Sequence, residues 1–422
     1  MLVLQEIREN REKVIEALKK RNLDAEGLVN SILDADSIRR AIQTDLDNIR
    51  NEANLIGKQV GALQREGKRN EAQELMNKSA ALKERIKELT EQLKEAEIQL
   101  RDILLTVPNA PAGSVKPGKS AEDNEVVAQW GEPLQLPDDA KPHWDIAREL
   151  DIIDFELGVK VTGSGFPVYK GKGARLQRAL IQYFLDYNTR AGYLEVQPPH
   201  FVNEASGFGT GQLPDKEGQM YYIERDGLYA IPTAEVPVTN FFRDVILSEN
   251  ELPQKLTAYT PCFRREAGSY GAHVRGLNRL HQFDKVEIVV ISHPEDSYRI
   301  LEEMVDHVAG LLQSLKLPYR ILRLCGGDMG FASAMTYDFE VWSAAQKRWL
   351  EVSSVSNFET FQANRLQLRF KDSNGKNRLC HTLNGSSLAL PRVVAALLEN
   401  NFDGNRVKLP EIVAQYAGFD SI

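Results

Sequence analysis

Two consecutive runs of apolar residues at strict 4-3 spacing constrain this chain more than any other feature. Ile42, Leu46, Ile49, Ala53, Ile56, Val60 and Leu63 form the first run; Leu75, Ser79, Leu82, Ile86, Leu89, Leu93, Ala96, Leu100 and Ile103 form the second. A heptad repeat puts such positions on one narrow stripe of a helix, and so narrow a stripe is buried only against a partner helix. Between the runs stands Glu66-Gly67-Lys68-Arg69-Asn70, a polar break suited to a tight turn. The pattern predicts an antiparallel coiled-coil hairpin. A helix over residues 28–65 would be ~57 Å long at 1.5 Å per residue, a projecting arm with no apolar surface left for a third helix. Dimerisation is the commoner use of heptads, but this seam is consumed within the hairpin, which favours a lever reaching a distant partner. Residues 4–26 read as short helices.

Lys58, Arg65, Lys68, Arg69 and Lys78 gather toward the tip, diluted by Glu66, Glu71 and Glu74. Alone, such a mixture is more often a solvated face than a binding site. The formal net charge is -8. Residues 39–104 hold 13 Lys+Arg against 12 Asp+Glu and the rest of the chain 39 against 48, so any phosphate contact must come from local patches. With 422 residues, 42% hydrophobic and 27% charged, the chain reads as two soluble domains with a large core. No apolar run approaches the ~20 residues that span a membrane. The N-terminus, MLVLQEIRENREK, lacks a signal-peptide core. Cys262, Cys325 and Cys380 are far apart and odd in number, which suggests neither a disulfide framework nor a metal knuckle. A reducing cytoplasm and no membrane partner are expected.

Residues 107–119, VPNAPAGSVKPGK, read as a linker between a helical domain (1–106) and a mixed one (120–422). In the latter, Ala174–Thr189 reads as an amphipathic helix leading to a strand that ends in Gln197-Pro198-Pro199. Residues 286–291 and 336–342 read as strands and 297–316 as a helix. The densest segment is Pro261–Glu287, a strand, a loop and a second strand with charges where a sheet is normally apolar. Alternation puts Arg264 and Glu266 on one face of the first strand, and Phe283, Lys285 and Glu287 on one face of the second. Val286, Ile288 and Val290 point the other way. The loop adds His273, Arg275 and Arg279. Such a face can bind an anion, stack a planar base and hold an ammonium group; its bland reading is the solvated side of an antiparallel sheet.

This segment resembles motif 2 of the class II aminoacyl-tRNA synthetases, an aromatic-Arg-x-Glu, a loop and a distal Phe. Thr233-Ala234-Glu235 resembles that family's amino-acid loop, Glu351-Val352-Ser353-Ser354 its metal-and-ATP strand, and Asn384-Gly385-Ser386 with Arg392 its motif 3. Pro199 matches the proline of motif 1, the dimer-interface element. With the helical arm, the match is to seryl-tRNA synthetases of the bacterial type, over essentially the whole chain. The fold so implied is α+β: an N-terminal coiled-coil hairpin arm plus an antiparallel sheet flanked by helices, assembled as a homodimer.

The resemblance implies ATP-dependent activation of L-serine to seryl-adenylate and transfer to tRNA(Ser), with tRNA(Sec) a further acceptor. Adenylate formation joins two anions, so it calls for positioning and charge neutralisation rather than a nucleophilic triad. Arg264, Arg392 and Glu351 are the implied catalytic residues. Thr233, Ala234, Glu235, Arg264, Glu287, Asn384 and Ser386 take serine. Arg264, Arg265, Glu266, Phe283, Glu351, Val352, Ser353, Ser354 and Arg392 take ATP. Glu351 and Ser354 take Mg²⁺, which prefers one or two carboxylates plus phosphate oxygens. Strict alternation would put Ser353 beside Glu351, so the family assignment requires a bulge or strand end there. Arg65, Lys68, Arg69 and Arg275 are assigned to tRNA, since the bacterial enzymes use such an arm to grip the long variable arm of their tRNA. Ser387 and Pro391 stand where the family has glycines. The cysteines, and the histidines outside these motifs, receive no role. Two alternatives stand beside this reading: a paralogue that charges a carrier protein, whose relatives lack the arm, and a coiled-coil RNA-binding or scaffolding protein with a dead core.

Overall fold

The computed structural model describes residues 1–215, 218–266 and 274–422; His273 of the motif 2 loop lies outside them. The described residues form two compact units, one of Leu2–Lys19 and Leu23–Pro108, the other of Met1, Lys20–Asn22 and Asn109–Ile422.

The first unit is helical: α1 (Leu4–Glu9), α2 (Arg11–Lys19), α3 (Ala25–Arg65) and α4 (Arg69–Thr106). The Asp24 carboxylate starts α3 by accepting the Gly27 N–H at 3.1 Å. Gly67, at φ +76°, ends it, because only a residue free of a Cβ takes that left-handed position at little cost. The Lys68 N–H then turns back to the Leu63 carbonyl at 3.0 Å. Helices α3 and α4 pack along their length. Every residue of the two apolar runs is buried or half-buried, as the 4-3 spacing requires. The 41 residues of α3 span ~62 Å.

The second unit is built on an eight-stranded sheet. Its strands in chain order are β1 (Glu125–Trp130), β2 (Leu194–Glu195), β3 (Gln254–Phe263), β4 (Gln282–Ser292), β5 (Tyr319–Arg323), β6 (Met335–Ser343), β7 (Arg348–Asn357) and β8 (His381–Ala389). Across the sheet they run β1-β5-β6-β7-β8-β4-β3-β2. All pairs are antiparallel except β2 with β3. The strand expected to end at Pro199 is shorter than read: β2 stops at Glu195, and Val196 adds one more bond to the Thr257 carbonyl. Helices α5 (His143–Glu149), α6 (Gly171–Arg190), α7 (Glu235–Asn240), α8 (Ser297–Ser314), α9 (Thr360–Leu366) and α10 (Leu390–Asn400) surround it. The proline-rich segment is tied down here, with the Asn109 and Ala112 N–H groups bonded to the Phe331 and Ala334 carbonyls.

Strand β4 is apolar on both faces because it is covered on both. Val286, Ile288 and Val290 enter the main core with Leu180, Leu301 and Leu398 from α6, α8 and α10. Val289 and Ile291 enter a smaller core with Leu256, Leu366 and Phe370. Truncating the fully buried Ile288 to alanine would cost about 2–5 kcal/mol. Lys285 and Glu287 lie further along that second face and are buried too, so charge enters the sheet where the apolar packing stops.

Candidate active site

Glu287 stands opposite Ser386 on β8 and Ala258 on β3. Its Oε2 faces Lys285 Nζ at 2.5 Å and accepts the Thr233 hydroxyl at 3.2 Å. Thr233 in turn accepts the N–H of Glu235, the first residue of α7, at 3.2 Å. Gln362 of α9 donates to Glu235 Oε1 at 2.6 Å, and its own oxygen accepts the Thr382 hydroxyl at 2.6 Å. Burial, and then the charge of Glu287, pushes the Glu235 carboxyl up to about 7; Gln362, Lys285 and Asn384 pull less strongly the other way. Two buried carboxyls thus share one buried lysine. The Asn384 amide nitrogen is buried without a hydrogen bond of good geometry among the described residues. A pocket with an excess carboxyl, a buried amide beside it and nearby hydroxyls suits a small ligand carrying an ammonium and a hydroxyl.

Beside this pocket, the Arg264 guanidinium lies over the Phe283 ring, 5.2 Å from its centroid, while its Nε bonds the Pro232 carbonyl at 3.3 Å. The cation and the ring face that alternation expected to be shared are shared. Glu266 departs from it. Strand β3 ends at Phe263, Glu266 has φ +47°, and its carboxylate pairs with Arg279 at 2.9 Å. A left-handed residue breaks the period of two, so Glu266 does not continue the ladder. Arg265 is exposed, with its N–H on the Gln219 carbonyl at 2.8 Å.

On the far side of β8 lies a second acidic group. Strand β7 carries a bulge: Phe339 faces Ser353 but Glu340 faces Glu351, which leaves Val352 as the extra residue. Val352 and Val355 both reach the main core, so Glu351 and Ser354 return to a common face, while the buried Ser353 hydroxyl donates to the Ser386 carbonyl at 2.6 Å. Ser354 donates to Asp338 Oδ1 at 2.5 Å, which turns its lone pairs elsewhere. Burial, and then the Glu351 charge, holds Asp338 well above the usual carboxylate range. Hard oxygen donors with surplus negative charge fit a divalent cation such as Mg²⁺ shared with phosphate oxygens. Arg392 closes this group: its Nη1 donates to the Glu351 carbonyl at 2.8 Å and lies 3.6 Å from Glu351 Oε2, while its Nε donates to the Asn278 carbonyl at 2.9 Å. Pro391 occupies the first turn of α10, where its missing N–H costs nothing, so Arg392 sits at the positive end of that helix. Ser387 is accommodated as well, buried with its hydroxyl on Asn188 Oδ1 at 2.8 Å.

The sheet unit therefore brings together Thr233, Glu235, Glu287, Asn384 and Ser386, Arg264 with Phe283, and Glu351 with Ser354 and Arg392. Ala234 is buried between the pocket loop and the smaller core. Arg65, Lys68 and Arg69 belong to the other unit, exposed around the hairpin turn, with Lys68 paired to Glu66 at 2.9 Å. Arg275 is exposed, its guanidinium 4.9 Å from the centre of the Trp144 ring. Sequence reading missed Asp338 and Gln362 as parts of the site and gave Lys285 only a place on a face. The signal for Lys285 was present, since a lysine two positions from a carboxylate on a central strand calls for a partner.

Residues 221–401, within the sheet unit, match the class II core domain of the tRNA synthetases (G, H, P, S and T). Residues 1–111 match the seryl-tRNA synthetase N-terminal domain. The serine–tRNA ligase of Salinibacter ruber is 52% identical over 100% of this chain and 99% of its own length; that of Methylacidiphilum infernorum is 48% identical over 99% of each. The crystal structure of seryl-tRNA synthetase from Pyrococcus horikoshii complexed with ATP superposes with a TM-score of 0.93 at 34% identity, covering 100% of this chain and 99% of that one. The chain belongs to the seryl-tRNA synthetase family.

Proposed function

We propose that this chain activates L-serine with ATP and esterifies the product to the 3′ end of tRNA(Ser), and to that of tRNA(Sec) where it is present. The observation that carries this reading is the adjacency of the Glu235–Glu287–Lys285 pocket, which suits an ammonium, to Arg264, which suits two anions. Thr233, Ala234, Glu235, Glu287, Asn384 and Ser386 hold serine. Arg264 holds the serine carboxylate against the α-phosphate with its planar fork. Phe283 stacks the adenine, with Arg265 and Glu266 at its edge, and Val352 and Ser353 line the nucleotide strand. Arg392 takes the far phosphates, with the positive end of α10 behind it.

The carboxylate oxygen attacks the α-phosphorus in line, the bond to the bridging oxygen of the β-phosphate breaks, and pyrophosphate leaves. A hydroxyl of the terminal tRNA ribose then attacks the seryl carbonyl, and AMP leaves. Arg264 and Arg392 neutralise charge throughout and donate no electrons. Glu351 and Ser354 would hold Mg²⁺, whose contribution when bound is to neutralise phosphate charge.

Residues 1–106 serve as the tRNA-binding domain, 107–119 as the connection and 120–422 as the catalytic domain, in a cytoplasmic homodimer. Arg65, Lys68 and Arg69 contact tRNA phosphates from the arm, and Arg275 does so from the motif 2 loop. No described helix is long and apolar enough to cross a membrane. Pyrophosphate exchange tests the reading. Serine should drive exchange with or without tRNA, and alanine should be worse by ~10⁴-fold, because it leaves buried polar atoms unpaired. Alanine within tenfold of serine, or no exchange at all, would overturn it.

A further inference from the structure

His143, the first residue of α5, lies outside every motif, yet its imidazole is wholly buried next to the end of the motif 2 loop. The Leu277 N–H points at its Nε2 at 2.9 Å. That nitrogen must therefore carry a lone pair, which puts the ring proton on Nδ1, where it is donated to Glu399 Oε1 at 2.8 Å. Glu399 accepts from every side. Its Oε1 also takes the His143 N–H at 3.0 Å and Gln346 Nε2 at 3.1 Å; its Oε2 takes the Ser343 hydroxyl and the Ala345 N–H. The carboxylate is thereby fixed, and through it the tautomer and orientation of the ring.

What the ring holds is the chain that bears functional side chains. Gly276 has φ +69°, and a Cβ built on it would come within 2.4 Å of His143 Nε2, so the loop approaches this closely only because it has glycine here. Two residues on, the Asn278 carbonyl accepts Arg392 Nε at 2.9 Å, one of the two backbone oxygens that aim this guanidinium. The Asn278 amide nitrogen is tied to Gln346 Oε1 at 2.9 Å, so the same cluster grips that residue at both ends. On the other side of Gly276, Arg275 lies over Trp144, the neighbour of His143 in α5.

We propose that His143 is a positioning residue for the nucleotide site: by accepting the Leu277 N–H it fixes the Asn278 carbonyl, and with it the guanidinium of Arg392. This rests on the assignment of Arg392 to the phosphates of ATP. The competing account is a buried His–Glu pair that serves stability alone.

Two substitutions separate these accounts, because each keeps one half of the imidazole. His143→Gln can put an amide oxygen where Nε2 was and still accept from Leu277. His143→Asn can put an amide nitrogen where Nδ1 was and still donate to Glu399, but it loses the acceptor. Both leave a cavity and should lower Tm alike. In serine-dependent pyrophosphate exchange, His143→Asn should raise the KM for ATP by about tenfold, with the KM for serine within about twofold of wild type. His143→Gln should recover most of that loss. Equal KM for ATP in the two variants, whether raised or normal, would overturn the proposal. If neither folds, Gln346→Met at a half-buried position removes the grip on the Asn278 side chain together with one of the donors that fix Glu399 and the bond to Ser343, and a wild-type KM for ATP in that variant overturns it instead. Wild-type protein without serine-dependent exchange would sink the underlying assignment, which the same experiment reads separately.

Discussion

Lys285 Nζ lies 2.5 Å from Glu287 Oε2, two positions apart on one face of a central strand, with both side chains under a tenth exposed. Thr233 donates to that same oxygen, so both contacts gather on one side of the carboxylate. The lysine is the charge that lets Glu287 and Glu235 be buried together. Lys285→Met should therefore cost about 3–5 kcal/mol, because it leaves two carboxyls without their cation. Adding Glu287→Gln should return part of that loss, since the uncompensated charge goes with it. Urea unfolding of the two variants checks this. A double variant no more stable than Lys285→Met would mean that the pair is held for some reason other than charge.

Glu235 gives the pocket a pH dependence. Its carboxyl titrates near 7 in the folded chain against 4.5 in an ordinary setting, through burial first and Glu287 second. The folded state thus binds this proton more tightly than the unfolded one. The resulting stability is fully present below about pH 4.5 and is lost as pH rises through 7. Glu235→Gln keeps an oxygen for Gln362 and should stabilise the protein above pH 7, by on the order of 3 kcal/mol at most, and not at pH 4.5. A serine ammonium needs the ionised form, so the wild-type KM for serine should fall between pH 5.5 and 8 and flatten in the variant. A KM for serine independent of pH in the wild type would remove Glu235 from contact with the ammonium.

The parts of this protein legible in its sequence are those with a period or a motif. The hairpin follows from sixteen positions at 4-3 spacing, and the charged hairpin face from alternation along Phe283, Lys285 and Glu287. Glu266 was misread because alternation is local and the strand ended three residues earlier. Gln362 and His143 left no local trace, since their partners Glu235 and Glu399 are 127 and 256 positions away and meet them only through packing around the sheet. Asp338 was hidden differently: it reads as one more outward residue of its strand, and only the bulge in β7 returns Glu351 to the face where Ser354 stands opposite it.

Arg264 and Glu351 should fail in different ways. Removing the Arg264 guanidinium leaves two anionic reactants to repel each other, so Arg264→Ala should reduce exchange by at least ~10³-fold. The Phe283 ring would also lose its cation, worth about 0.5–2 kcal/mol of local order. Glu351→Ala should instead shift the magnesium requirement upward while lowering the rate, and it frees Arg392 from a carboxylate 3.6 Å away. Exchange rates titrated against Mg²⁺ for each variant read the difference. Near-wild-type exchange in either would withdraw that residue from the site.

The coiled-coil hairpin should matter only to the tRNA step. Its seam is satisfied between α3 and α4, so the sheet unit does not depend on it for a core. Deleting residues 30–104 and bridging the ends should leave serine-dependent exchange within about threefold of wild type. Transfer to tRNA should fall steeply, because a long-range grip that orients the acceptor end is lost. In the full chain, tRNA affinity should weaken as salt rises, with a slope set by the few cations near the turn. Glu66 already pairs with Lys68 and dilutes that patch, so charge reversal at Arg65 or Arg69 should reduce the salt slope more than reversal at Lys68. Filter binding across a salt series, beside aminoacylation, separates these effects. A deletion that cripples adenylate formation, or one that leaves charging intact, would show that the hairpin serves the core or another partner.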